Sequence, residues 1–426
     1  MRTHHTQHSL PAFPVYSAAF VGEHKLVLGG GGGSARSGIK NRLRLFHIPN
    51  DEKLELLSEL ELEKDEDAPM SMIADAEGSR IVCGINSATE ELDKGINQNC
   101  RVFSIAKDRF ELAGVASTLH VTRDNMEECQ KVTALSPGRT LVAAAGTKDL
   151  AVLSYPSLTP AAKPLKTKHE IYDASFSPTS LVVATTDELL VYALPSAAAP
   201  PSSPPGTKTR SKQKQKQKAQ KGKAESVKEL KLLETVERPA LPGLNGVTTT
   251  FRAVRFHPSR NNVVFTVQNT SNTGVRKRGS RMPPKQGFVC RWNTDNWKIV
   301  RSRKVSEKGI TCFDVSPDGR FLAYGSADYA IGILDSTTLA VRHFIPPHPL
   351  LTVLRAHEFP PTVLRFNPTS TLLVSGSADN SIRAVAIPEG LAGTKWTVVQ
   401  VLLITLLVLS VSILISYAIS SGKLKF

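Results

Sequence analysis

Two stretches decide the fold: ITCFDVSPDGRFLAYGSADYAIGILD (residues 310–335) and PTVLRFNPTSTLLVSGSADNSIRAVAI (residues 361–387). Each runs through apolar alternation, a Ser-Pro or Asn-Pro turn, a second alternating run, Gly-Ser-Ala-Asp, and a third alternating run. Pro317 and Pro368 set the spacing at 51 residues. Alternation in runs of about five, broken by Pro, Gly, Asp or Asn, is the period-two signature of short strands joined by tight turns. Weaker copies start at Val132 (VTALSPGRTLVAAAGTKDLAVLSY), Ile171 (IYDASFSPTSLVVATTDELLVYAL) and Phe251 (FRAVRFHPSRNNVVFTVQNT). Two more are interrupted: YSAAFVGEHKLVLGG with NRLRLFHI, and MSMIADAEGSRIVCGI with NCRVFSI, which brings the count to seven.

A unit of three or four short strands cannot bury both its faces alone, whereas seven packed radially can, so the pattern predicts an all-β, seven-bladed β-propeller over residues 1–390. The units resemble the WD repeat. Gly325 to Asp328 and Gly376 to Asp379 are typical of it, and His357 stands where its usual histidine precedes a unit. The Trp-Asp dipeptide is absent, with Trp292 the only tryptophan near its usual place. Asp314, Asp328, Asp379 and His357 read as turn acids and a blade histidine that stiffen the blades rather than as acid-base groups. No Ser/His/Asp order, HExxH or specifiable carboxylate pair supports an enzyme.

The formal charge of +15 is concentrated. Residues 208–223 carry eight Lys or Arg and residues 276–285 five more, with no acid in either segment. Neither segment has hydrophobic periodicity, which favours solvated loops over a nucleic-acid-reading face. The first belongs to a Pro-, Lys- and Gln-rich insertion, residues 197–237, expected to be disordered with a helical last turn and able to touch anionic lipid. Five scattered cysteines without a CxxC pair fit a reducing compartment and form neither a disulfide framework nor a zinc site. His4, His5 and His8 read as a frayed tail.

Trp396 to Ile419 is uncharged, 24 residues long and dominated by Val, Leu and Ile. At roughly 36 Å in helical form it exceeds a hydrocarbon core of about 30 Å, so it reads as a transmembrane helix with Trp396 and Tyr417 near its ends. Gln400, Thr405, Ser410, Ser412 and Ser416 are expected to bond locally to that helix. The opening MRTHHTQHSLPAFP has no apolar signal region, so residues 1–390 are expected on the cytosolic side, with 420–426 as a short lumenal tail.

Between two strand-like segments of the first unit lies LVLGGGGGSARSGIKNRLRLFHI (residues 26–48). As a dinucleotide fingerprint it has Arg36 where the third glycine belongs; as a P-loop it has Gly33 and Gly38 but then Ile39 and Lys40 in place of Lys and Ser or Thr. It opens a strand rather than a helix, so no helix N-terminus is available for phosphate. Consecutive glycines adopt positive φ cheaply and let backbone carbonyls converge, an arrangement suited to a hard cation; the alternative is a floppy hairpin.

The GGGG…GI-x-N loop, the DEDAP turn (residues 65–69), the degenerate propeller and the C-terminal span together resemble the endoplasmic-reticulum guanine-nucleotide exchange factor for the Sar-type small GTPase of the COPII coat, the Sec-twelve family. The resemblance covers essentially the whole chain. It implies a potassium ion in the loop, held mainly by backbone carbonyls, with Gly29, Gly30, Gly31, Gly32 and Gly33 as candidates. It also implies a loop tip of Gly38, Ile39 and Asn41 that disturbs the GTPase switches, and no small-molecule substrate. Lys40 replaces a proline of some members, and Arg36 is an extra cation. The implied activity is GDP release and GTP loading at the endoplasmic-reticulum membrane, initiating coat assembly. The rivals are a membrane-tethered WD scaffold without exchange activity and a propeller enzyme.

Overall fold

The computed structural model describes residues 5–34, 38–49, 53–122, 125, 127–194, 228–244, 247–271, 285–339, 350–388, 391 and 395–421. Its strands form seven four-stranded antiparallel sheets. Six are built in chain order from residues 15–61, 71–116, 132–166, 171–237, 249–306 and 310–353; the seventh combines residues 361–386 with His5–Ser9. Every unit read from the sequence is a sheet, and each sheet adds an outer strand with exposed side chains, such as Glu55–Glu61. That outer strand has a solvated face, which is why apolar periodicity marks three strands per unit rather than four.

The sheets bury their faces against one another. Phe13, Val15, Leu26 and Leu28 of the first blade pack with Val363, Val374 and Ile382 of the seventh, and Ala19, Val27 and Leu43 pack with Met72 and Ile81 of the second. Fully burying one such side chain contributes on the order of 2 kcal/mol, so each interface between blades is a small core.

His5–Ser9 corrects the reading of the N-terminus as a frayed tail. It pairs antiparallel with Ser381–Ala386, from His5 opposite Val385 to Ser9 opposite Ser381, and so joins the two ends of the ring in one sheet. The strand is invisible as a pattern because it is outermost: its side chains are exposed or half-buried throughout. The closure continues at Asn380, whose carbonyl accepts from Leu10 N (2.7 Å) and whose Oδ1 accepts from Phe13 N (2.8 Å). His4 lies outside the described residues.

A second correction concerns the basic insertion. Residues 195–227 and 272–284, with most of the two Lys/Arg-rich segments, lie outside the described residues. The end of the expected insertion is no helical turn: Leu232–Glu237 is the outer strand of the fourth blade, paired with Glu188–Ala193. At the other end of the chain, Lys395–Ser420 is one helix. Among the described residues no helix is long and apolar enough to cross a membrane. Ser410 and Ser412 donate to the carbonyls of Leu406 and Val408, each at 2.8 Å, so these hydroxyls are satisfied within the helix.

The acids of the repeats are dispersed, and Asp314 is not a turn acid but a residue of the strand Ile310–Val315, since its side chain is turned to the channel rather than to a turn backbone. His357 Nε2 meets Ser375 Oγ at 2.7 Å, and its Nδ1 faces Ser381 Oγ at 3.0 Å and Asp379 at 3.2 Å, while Asp379 also accepts from Glu358 N. Asp328 accepts from Ser326 in the sixth blade, and Asp314 lies 3.8 Å from Arg365 in the channel. Burial holds the His357 imidazole below its ordinary range despite the pull of Asp379. The unfolded chain, whose histidine titrates near 6.5, therefore binds a proton in mild acid that the fold does not. The midpoint of thermal unfolding should fall as pH drops from about 7 to 5, and His357→Gln, although less stable at pH 7.5, should show a shallower fall.

Candidate functional site

Only part of the glycine run is loop. Gly29 and Gly30 end the strand Lys25–Gly30, the former opposite Ser17 and Leu43, the latter opposite Val15 and Arg42, so both sit within the sheet. The chain leaves the sheet at Gly31, whose N–H donates to Pro14 O at 3.0 Å. With φ of 140° and Asn41 Oδ1 only 2.3 Å from where a Cβ would stand, Gly31 admits no other residue. Gly33 follows at φ 69°. Residues 35–37 lie outside the described residues, and the chain returns through Gly38, Ile39 and Lys40 to the strand Arg42–His47.

Asn41 clamps the base of this loop. Its Oδ1 accepts from Gly33 N at 2.9 Å, and its Nδ2 donates to Gly33 O (3.0 Å) and Glu66 O (2.7 Å), while its own carbonyl accepts from Leu62 N at 2.9 Å. The side-chain amide is thus spent inside the protein. Asn41 positions the loop rather than extending from it. Gly38 is the exposed point of the return, at φ 75° with no described atom within 4 Å of a would-be Cβ, and Ile39 beside it is half-buried. Lys40 is exposed and paired with Glu61 at 2.5 Å.

Beneath the loop runs the DEDAP turn. Ser17 Oγ donates to Pro69 O at 2.5 Å, and a Cβ on Gly29 would meet that Oγ at 2.4 Å, so the two blades touch where the loop begins. Glu66 is held by Arg101 at 2.6 Å, both nearly buried, and accepts from Glu63 N at 2.9 Å. Asp67 is different. It is 7% exposed, its Oδ1 accepts from Ala68 N at 2.7 Å, and its amide donates to Asn86 O at 3.1 Å; it forms no ion pair among the described residues. Burial pushes its carboxyl above the usual range, partly offset by the N–H groups of Ala68 and Ser34. Its Oδ1 lies 3.6 Å from where a Gly33 Cβ would stand. A buried carboxylate with no cationic side chain, against a turn of positive-φ glycines, has the chemistry of a cation site.

Of the five glycines, Gly29 and Gly30 are sheet residues, Gly33 O accepts one hydrogen bond from Asn41, and the Asp67 carboxylate lies against Gly33, so a cation here would add a carboxylate to the glycine carbonyls. No cluster of three or more His, Cys, Asp or Glu that could hold a metal occurs among the described residues. Sequence reasoning singled out the loop and noted the DEDAP turn, but assigned no role to Ser17, Glu66, Asp67 or Arg101. The available signal was the run of acids directly before a proline and an apolar strand.

Residues 297–335 and 348–384 match the family model described as WD domain, G-beta repeat. The chain is 23% identical over 401 residues to the guanine nucleotide-exchange factor SEC12 of Candida glabrata, covering 92% of this chain and 74% of that protein. It is 22% identical over 403 residues to the putative guanine nucleotide-exchange factor SED4 of Saccharomyces cerevisiae, covering 91% of this chain and 31% of that one. A shorter match, 31% identical over 112 residues and 26% of each chain, is to SEC12-like protein 2 of Arabidopsis thaliana. Among solved structures, a chain from the crystal structure of a mitotic checkpoint complex superposes with a TM-score of 0.57 at 9% identity, over 90% of this chain and 94% of that one; this likeness shows the fold alone.

The clamp makes a local prediction. Asn41→Ala removes all three side-chain bonds, which should lower stability by about 1–3 kcal/mol and speed amide hydrogen exchange at Gly33. Asn41→Asp keeps the acceptor for Gly33 N but turns a carboxylate oxygen on the carbonyls of Gly33 and Glu66, and should destabilise at least as much as Ala at pH 7.5.

Proposed function

We propose that this chain, a WD-repeat propeller of the SEC12 family of guanine nucleotide-exchange factors, promotes GDP release and GTP loading on a Sar-type small GTPase at the endoplasmic-reticulum membrane, and so starts COPII coat assembly. The observation that carries the reading is the glycine loop whose base Asn41 clamps to the sheet, with Gly38 exposed and Ile39 half-buried beside it on the return. An exchange factor breaks no bond. It binds the nucleotide-free GTPase more tightly than the loaded one, and linkage then requires that it weaken nucleotide binding by the same factor. A floppy loop would lose much of that binding energy to ordering, so rigidity is itself part of the activity.

In this scheme Ile39 is the apolar wedge against the switch regions, and Gly38 lets the chain turn where a side chain would obstruct approach. Asn41 acts on exchange by fixing the loop base. A potassium ion would be held by the carbonyls of Gly31 and Gly32 and the carboxylate of Asp67; bound there, it supplies the positive charge that Asp67 lacks and ties the turn to the DEDAP segment. Trp396 to Ile419, within the helix Lys395–Ser420, is the membrane anchor on the strength of its uncharged apolar sequence, which confines activation to one surface. The Lys/Arg-rich composition of 208–223 and 276–285 would favour anionic lipid at that surface.

The test is GDP release from a Sar-type GTPase with the full chain in detergent micelles. The wild type should accelerate release, and Ile39→Ala should cut the acceleration at least about tenfold, or ~1.4 kcal/mol in the barrier. No acceleration by the wild type sinks the exchange reading.

The cation is read separately, by thermal unfolding. Because burial raises the Asp67 pKa, its ionised form weakens the fold above that pKa, and the weakening disappears as pH falls through it. Replacing Na⁺ by K⁺ at pH 7.5 should therefore raise the midpoint of the wild type. Asp67→Asn should exceed the wild type in Na⁺ and show no response to K⁺; an equal response in both proteins removes Asp67 from the site.

A further inference from the structure

The innermost strands of five blades carry a register shift at the same place, skipping Tyr16, Tyr172, Arg252, Thr311 and Thr362. Bulges re-aim side chains, and all five of these residues line one cavity of about 140 Å³, the mouth of the central channel. It opens on the face that carries the glycine loop: Val15, next to Tyr16, is paired with Gly30, and the Asp67 charge reaches Tyr16.

Around this ring the hydroxyls have a common task. Ser17, Ser71, Thr311 and Thr362 donate to carbonyls at the entry to the next blade, those of Pro69, Gln130, Pro361 and Val15, at 2.5–2.7 Å. Arg252 does not share it. Its guanidinium stands 5.3 Å from the Tyr172 ring centroid and makes no ion pair or hydrogen bond among the described residues. Lys131 approaches the same ring at 5.6 Å and is paired with Glu170 at 2.5 Å. Deeper, Arg255 is paired with Asp173, while Arg365 Nε is buried with no hydrogen-bond partner, its other nitrogens reaching the carbonyls of Leu364 and Met72 and only a distant Asp314. Four cations and one acid, Asp173, line the cavity.

We propose that the channel mouth is a socket for an acidic side chain of the protein that docks on the glycine-loop face, with Arg252 as its principal contact. A guanidinium pairs a carboxylate through two parallel N–H donors, and stacking on Tyr172 holds the fork in place before the partner arrives. The cavity is smaller than the roughly 300 Å³ at which small-molecule sites begin, which favours one inserted side chain over a free ligand. On the reading above the partner is the small GTPase, and the proposal rests on that reading. The loop and the socket then form a two-point attachment, one acting on the nucleotide and the other setting orientation.

The experiment measures two quantities on the same samples of full chain in detergent micelles: GTPase binding by fluorescence anisotropy across a range of salt, and GDP release. Arg252→Glu should weaken binding about tenfold or more and flatten its salt dependence. Arg252→Gln, which removes the charge without reversing it, guards against a folding defect and should weaken it less; unchanged thermal midpoints certify both. Binding by Arg252→Glu and Arg252→Gln within twofold of the wild type, with the same salt slope, overturns the socket and leaves exchange standing. Salt-sensitive binding that is lost in Arg252→Glu, without acceleration of GDP release by the wild type, overturns the exchange reading and leaves the socket standing.

Discussion

The pairing of His5–Ser9 with Ser381–Ala386 is the constraint on which the rest of the molecule depends. Each blade is stable only because both of its faces are covered, and an open ring would leave Phe13, Val15 and Leu26 on one side and Val363, Val374 and Ile382 on the other without a partner. Closing the last sheet with the first strand makes separation of blades one and seven cost a whole ladder of backbone bonds. It also fixes where blade one begins. Through Asn380 the closure holds Leu10 and Phe13, and Pro14, the next residue, accepts from Gly31. The glycine loop is anchored at the seam of the ring.

From that seam the site is built by polar atoms rather than by apolar packing. Asn41 binds both sides of the turn and reaches the Glu66 carbonyl, so the first blade's loop is fastened to the segment entering the second. Glu66 is neutralised by Arg101, whereas Asp67, one residue on, is buried with only backbone N–H donors among the described residues. Two adjacent acids in nearly the same burial thus have opposite electrostatic fates. The compensated one holds the framework, and the uncompensated one faces the glycine turn. The same contrast recurs at the channel mouth, where Arg255 is paired and Arg252 is not. In both places the unpaired charge lies on the face that carries the loop.

Much of the fold was legible because a propeller repeats itself: GSAD at 325–328 and 376–379, and the Pro turns 51 residues apart, mark units whose inner strands must alternate. The outer strands and His5–Ser9 were not legible, since a strand with a solvated face leaves no clear apolar period. Leu232–Glu237 was lost for a related reason, following a long Lys- and Gln-rich tract whose composition overwhelms a short strand. In the site, Gly38, Ile39 and Asn41 could be picked out by motif, but Asn41 looked like a tip residue. Its inward rotation depends on Gly33 and on Glu66, 25 residues away, a pairing no local pattern encodes.

The sequence by itself determined the repeat, the number of blades, the exclusion of both phosphate motifs and the place of a glycine loop in the first blade, because these follow from residue type and spacing. Only the tertiary structure decided that two of the five glycines are sheet residues, that Asp67 is buried without a counter-charge, and that Tyr16, Tyr172 and Arg252 meet at one channel mouth. Burial and charge compensation are properties of what surrounds a group. In a ring of blades the surroundings come from chain segments as distant as Pro14 and Thr362, which become neighbours only when the ring closes.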